Sequence, residues 1–193
     1  MKRLNVRMLA YLGLLAAMGV VLAALRPVNL WNLRISFTFI PIAVAAILFG
    51  PLPAALLGAL IDVLGALLFP SGVFFPGYTL TAFVHGLIYG LFLYQKRRKA
   101  APPTLPEVEG ALRRFLRKSD DPLRILAAVL LYLIVCSLGL NTLWISITSG
   151  SPFLPLLSTR LVQAAVMTPV QLVVIGILVP TLRRLRGKLL PKE

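Results

Sequence analysis

The sequence predicts an all-α membrane protein with six transmembrane helices and both termini on the cytoplasmic side. Three observations carry that prediction. The first is composition: mean hydropathy is +0.90, with 59% hydrophobic and 13% charged residues, whereas globular domains run at roughly 45–50% apolar and 25% charged. The second is where charge is missing. Residues 8–25, 35–61, 63–95, 125–159 and 161–182 hold no Asp, Glu, Lys or Arg, and a bilayer-spanning helix needs about 20 largely apolar residues. The third is where charge collects: 17 of the 20 Lys and Arg residues lie before residue 8, between 96 and 124, or after 182. With six spans these regions share one side, which the positive-inside rule makes cytoplasmic.

Broken at their turn signals, the runs give spans at about 8–25, 35–49, 53–69, 78–94, 123–144 and 160–182, forming one domain across 1–193. Span one follows MKRLNVR. A signal peptide opens in the same way, but its apolar core is shorter, roughly 7–15 residues, so this run reads as a retained helix. Gly13 and Ala17 sit four apart in GLLAA, and Gly19 and Ala23 repeat the spacing. Small residues in that pattern let helices approach closely in lipid.

Spans two and three are separated by FGPLP, an uncharged turn of the kind that joins neighbouring helices. Asp62 is the only acid within a span. Ala55, Gly58 and Gly65 share its helical face, so it faces protein and not lipid. An intramembrane acid is a functional candidate by default; the structural alternative is a bracing bond to a hydroxyl, amide or arginine. LFPSGVFFPGYTL, 68–80, then connects spans three and four with two prolines, two glycines and no charge. Span four places Tyr78, Thr81, His85 and Tyr89 at steps of three and four, on one face, with Thr79 beside them. His85 reads either as a ligand contact or as a packing histidine.

The connector 95–122 is basic and proline-bearing. Its ALRRFLRK reads as a solvated linker or as a short amphipathic helix on the membrane surface. Span five contains the lone Cys136, which excludes an internal disulfide and reads as a packing residue. Span six puts Arg160, Gln163, Met167 and Gln171 on one face.

Several functions are excluded by what is missing. The chain has no G-x-x-x-x-G-K-[ST] phosphate loop and no Cys/His cluster for a metal, so no cofactor or metal is expected. Five of the six acids lie in the connector or at the tail, which leaves no paired groups for acid–base catalysis. An enzyme is not expected. The net charge of +14 sits on membrane flanks, where it binds anionic lipid before nucleic acid.

On the expected outer side lie Arg26, Trp31 and Arg34, then Phe74, Phe75 and Tyr78, then Asn141, Trp144 and Arg160. Stacking rings with guanidinium forks suit an outward-facing site for a flat anionic molecule. The alternative is an interfacial aromatic belt, which accounts for Trp31 or Tyr78 singly but less well for the uncharged, glycine-bearing 68–80 loop.

RISFTFIPI (34–42), LFGPLPAALLGALIDVLGALLFPSGVFFPGYTLTA (48–82), NTLWIS (141–146) and RLVQAAVMTPVQ (160–171) together resemble the folate-family substrate-binding (S) component of energy-coupling factor (ECF) vitamin transporters. GLLAA is similar to the patch by which S components meet their transmembrane partner, which assigns Gly13 and Ala17 to a partner interface. The connector 95–122 carries no resemblance. The resemblance implies a six-helix S-component fold in a prokaryotic plasma membrane. It also implies capture of a vitamin from outside and delivery inward on a partner complex of a T component and two ATPases, which supply the power this chain lacks.

Folate fits the residue types: it has a flat pterin, a benzoyl ring and a glutamate with two carboxylates. Arg26, Arg34 and Arg160 lie at the mouth, where the glutamate would sit. Phe74, Phe75 and Tyr78 would stack on ring systems, and Thr79, His85, Asn141, Trp144 and Gln163 complete the expected binding residues. Asp62, about 10 Å below Phe69 at 1.5 Å per residue, would accept from the pterin amino and ring N–H groups. The alternatives are another anionic vitamin such as pantothenate, an ion-coupled secondary carrier, or a membrane-embedded enzyme.

Overall fold

The computed structural model describes residues 6–24, 37–69, 74–94, 121–150 and 153–189, and every element among them is helical. The helices are α1 (Val6–Ala24), α2 (Phe39–Phe49), α3 (Pro51–Leu68), α4 (Pro76–Leu93), α5 (Asp121–Tyr132), α6 (Asn141–Ser149) and α7 (Phe153–Leu189). A π-helical stretch, Leu133–Leu140, joins α5 to α6 without a break. Four stretches are long and apolar enough to cross a membrane: Val6–Ala24, Pro51–Leu68, Pro122–Ser149 and Leu156–Leu185. α2 is apolar but shorter. α4 has 18 residues, and its apolar run is interrupted by the polar groups that reach the site described below.

Local chemistry sets the boundaries. Gly50 sits at φ +101° between α2 and α3, a conformation that L side chains avoid, and its N–H closes α2 on the Ala46 carbonyl at 3.2 Å. Pro51 and Pro76 open α3 and α4. A proline suits the first turn because its missing N–H would have no partner there. Pro169 and Pro180 lie inside α7, each removing one helical bond to the carbonyl four residues earlier.

Packing divides the small residues that the sequence singled out. A Cβ on Gly58 would meet the Ala82 carbonyl, one on Gly86 the Ala54 backbone, and one on Gly90 the Pro51 backbone. α3 and α4 therefore pack backbone to backbone, the close approach glycine permits in a membrane. On α1, Gly19 seats the Ile61 side chain of α3, and the Ala23 methyl packs against Gly65. Gly13 and Ala17 are exposed, and a Cβ on Gly13 would meet nothing within 4 Å among the described residues. α2 is the centre of the core: Ala43, Ala45, Ala46 and Ile47 are buried together with Tyr89 and Leu93 of α4 and Ile175 of α7. Leu52, Leu56, Leu60 and Leu67 of α3 point outward, as a lipid-facing stripe does.

Candidate functional site

A cavity of about 540 Å³ lies between α3 and α4 on one side and α5, the π stretch, α6 and α7 on the other. Its size is in the range of small-molecule sites, roughly 300–1,000 Å³. The π stretch shapes one wall. Leu133, Ser137, Asn141 and Ile145 line the cavity at steps of four, which on a regular α-helix would drift steadily round the axis. The wider i→i+5 turn keeps them on one side. There the Asn141 N–H bonds the Cys136 carbonyl, and the Thr142 hydroxyl donates to the Ser137 carbonyl at 3.4 Å.

At one end, Arg160, Gln163, Thr159 and Thr148 line the space. The Arg160 guanidinium donates to Gln163 Oε1 at 2.9 Å, an i, i+3 pair that directs the fork. Asp62 lies in the α3 wall and accepts a 2.7 Å hydrogen bond from the Thr79 hydroxyl. Among the described residues, Asp62 and Arg160 are the acid and the arginine in the lining.

At the other end, His85 packs between two tyrosines. Its ring is 4.3 Å from that of Tyr89, nearly perpendicular, and 4.1 Å from that of Tyr132, tilted by 34°. The Tyr89 hydroxyl donates to Gln171 Oε1 at 3.3 Å. His85, Tyr132 and Gln171 line the cavity and Tyr89 stands behind them. His85 Nε2 is buried without a hydrogen-bond partner among the described residues.

The structure thus brings Asp62, Tyr78, His85, Asn141, Arg160 and Gln163 to one cavity, with Thr79 bonded to Asp62 behind the wall. Phe75 and Trp144 are placed elsewhere. Their rings pack on each other at 5.4 Å, over Gly77, where no Cβ would fit. Trp144 Nε1 donates to the Thr81 hydroxyl at 3.0 Å, and that hydroxyl donates to the Gly77 carbonyl at 3.1 Å. Phe74 is half exposed and lines no part of the cavity. Arg26, Trp31 and Arg34 lie outside the described residues, as does most of the connector 95–122.

Sequence reasoning did not select Tyr132, Ser137, Thr148 or Thr159, and it left Met167 and Gln171 as face neighbours of Arg160. Gln171 carried a usable signal, a polar amide in the middle of a span. Tyr132 carried none, because its place opposite His85 depends on contacts between elements far apart in the chain.

Known proteins resemble this chain in sequence and in fold. Residues 7–182 match the family model described as ECF transporter, substrate-specific component. The folate transporter FolT of Clostridium novyi (strain NT) is 35% identical over 175 residues, covering 91% of this chain and 88% of that protein. FolT of Leuconostoc mesenteroides subsp. mesenteroides is 30% identical over 174 residues, covering 88% and 82%. A crystal structure of FolT bound with folic acid superposes with a TM-score of 0.74 at 30% identity, over 92% of this chain and 95% of that one. The chain belongs to the family of substrate-specific components of ECF transporters.

Proposed function

We propose that this protein binds folate at the outer side of a prokaryotic plasma membrane and delivers it inward together with a T component and two ATPases. The cavity carries the reading. It joins a cationic end at Arg160, paired with Gln163, to an aromatic end at His85 and Tyr132, which matches a molecule with two carboxylates at one end and a flat heterocycle at the other. The relatives named for folate, and the folic acid bound in the solved one, support the choice of vitamin.

In this reading the chain crosses the membrane six times with both termini cytoplasmic, so the Arg160 end of the cavity faces outward. The glutamate carboxylates pair with the Arg160 fork, which Gln163 holds, and Arg26 and Arg34 add positive charge at the mouth. Charged hydrogen bonds of this type are about twice as strong as neutral ones. The pterin goes inward, between Asp62 and the His85–Tyr132 pair. The Asp62 carboxylate, steadied by Thr79, accepts from the pterin amino and ring N–H groups, while Tyr78 and Asn141 border the benzoyl ring. The exposed Gly13–Ala17 face of α1 meets the T component, where small residues permit close approach.

Titration calorimetry of the purified protein with folate and with pantothenate tests the substrate. Tight folate binding with no pantothenate response is expected, and the opposite order overturns the assignment. Proteoliposomes holding this chain alone should bind folate without accumulating it. Uptake driven by an ion gradient would instead show a secondary carrier.

A further inference from the structure

The inner end of the cavity holds a buried amide that does more than fill space. Gln171 comes from α7, Tyr89 and His85 from α4, and Tyr132 from the end of α5. Gln171 and His85 are more than nine-tenths buried and Tyr89 is fully buried. The Tyr89 hydroxyl donates to Gln171 Oε1, so the amide fixes the phenol. The phenol ring stands edge-on to the imidazole at 4.3 Å, and the Tyr132 ring lies against that imidazole at 4.1 Å and against Tyr89 at 5.7 Å. Gln171 also hydrogen-bonds Tyr132, so one amide ties both phenols that flank the imidazole. The imidazole in the middle lines the cavity, yet its Nε2 has no partner among the described residues. Buried polar atoms are nearly always paired, so an orphan in the wall of a cavity calls for a missing partner. A ligand heterocycle with ring N–H, carbonyl and amino groups supplies one. An amide within an apolar span is also costly without a function.

We infer that Gln171 is a positioning residue for ligand recognition: through Tyr89 and Tyr132, both of which it hydrogen-bonds, it holds His85 in the arrangement that grips the heterocyclic end of the ligand, with the His85 nitrogen as the contacting group. This rests on the folate reading of the same cavity. It assigns the discriminating contact at the inner end to a neutral aromatic cluster, separate from the Asp62 carboxylate.

A double-mutant cycle tests the inference, with folate affinity measured by titration calorimetry and thermal stability recorded for each ligand-free protein. Gln171→Met keeps bulk and removes both ties, and Tyr89→Phe cuts one of them by losing only a hydroxyl. Each should weaken folate about tenfold, the effect of roughly one lost hydrogen bond. His85→Phe keeps the ring and removes the nitrogen, and should weaken folate at least as much. Adding Gln171→Met or Tyr89→Phe to His85→Phe should then cost little more, because the residue being positioned is gone. Equal losses in both backgrounds, or unchanged affinity in the single variants, would overturn the inference. If Gln171→Met does not fold, Tyr89→Phe combined with Tyr132→Phe removes the same two ties and gives the same decision. Failure of the unsubstituted protein to bind folate would instead defeat the folate reading itself.

Discussion

The α1–α4 half and the α5–α7 half hold their backbones in different ways. In the first, regular helices press together at glycines: Gly58 and Gly86 put α3 and α4 at backbone contact, and Gly19 seats α1 on Ile61. In the second, the helices are irregular, with a π stretch at Leu133–Leu140 and prolines at 169 and 180 in α7. The cavity runs along the seam, with Asp62, Tyr78 and His85 on the tight side and Tyr132, Asn141, Arg160 and Gln171 on the irregular side. A wall packed backbone to backbone cannot shift without breaking the core. A wall with π turns and missing helical bonds has cheaper alternatives. The difference teaches that one side acts as a fixed template while the other is the side free to adjust around a ligand.

The largest expected effect comes from filling the tight side. Gly86→Val puts branched carbon into the Ala54 backbone, which cannot rotate away as a side chain would. Overpacking of this kind costs roughly 3 kcal/mol or more, and the variant should fail to give a folded, monodisperse protein in detergent. Gly13→Leu, in open space on the same half, should fold and bind folate normally while uptake by the full transporter is lost. A well-folded Gly86→Val protein would break the template picture.

Next in size are the charges at the seam. Arg160→Ala removes a charged partner worth about 1.5–3 kcal/mol, so folate should bind about ten- to a hundredfold more weakly. A pterin fragment lacking the glutamate should scarcely notice. Asp62→Asn keeps the size but replaces half of the acceptor pair with a donor, and should weaken fragment and vitamin alike. Equal losses of both ligands in Arg160→Ala would place the ligand the other way up. Calorimetry with the two ligands distinguishes these outcomes.

These residues also show how far the sequence could be read. The face containing Arg160, Gln163, Met167 and Gln171 was legible because α7 stays helical across them despite Pro169, and all four line the cavity. Tyr78 and His85 followed from the same rule on α4. The fifth span was not legible in this way. Helical spacing assumes 3.6 residues per turn, whereas the wall from Leu133 to Asn141 is built on wider turns that no composition signal marks. Asp62, read as either a ligand group or a brace between helices, lines the cavity and bonds Thr79 near the start of α4. Spacing could not pair Phe75 with Trp144, which are far apart in the chain and meet only when α6 packs beside α4.

That pair supplies the third test. Phe75 and Trp144 close over Gly77 and satisfy each other, with the indole N–H taken up by Thr81. A clasp of this kind ties the two halves together without reaching the ligand space. Trp144→Phe keeps a ring against Phe75 and loses one neutral hydrogen bond, worth about 0.5–1.5 kcal/mol. For a chain of this size roughly 1 kcal/mol moves the melting temperature by about 2–4 °C. A fall of that order with little change in folate affinity is expected. A tenfold loss of affinity would mean that the indole touches the ligand and that the aromatic clasp is part of the site.

The smallest effect should come from the irregular half, at Gly176 of α7. Its position is helical and lies between Pro169 and Pro180, yet a Cβ there would meet nothing within 4 Å among the described residues. No close approach requires glycine here, in contrast to Gly86. Glycine within a helix costs roughly 0.5–1 kcal/mol relative to alanine, largely through the freedom of the unfolded chain. Gly176→Ala should therefore raise the melting temperature slightly, by up to about 4 °C, with folate affinity unchanged. Transport by the assembled complex separates two reasons for glycine at this position. If uptake is also unchanged, Gly176 is only a tolerated gap in the packing. If uptake slows while binding and stability do not fall, the stretch between the two prolines has to bend during delivery, and the adjustable side of the cavity extends to the inner half of α7. A drop in stability would contradict both and would show that the irregular half is packed as tightly as the template it faces.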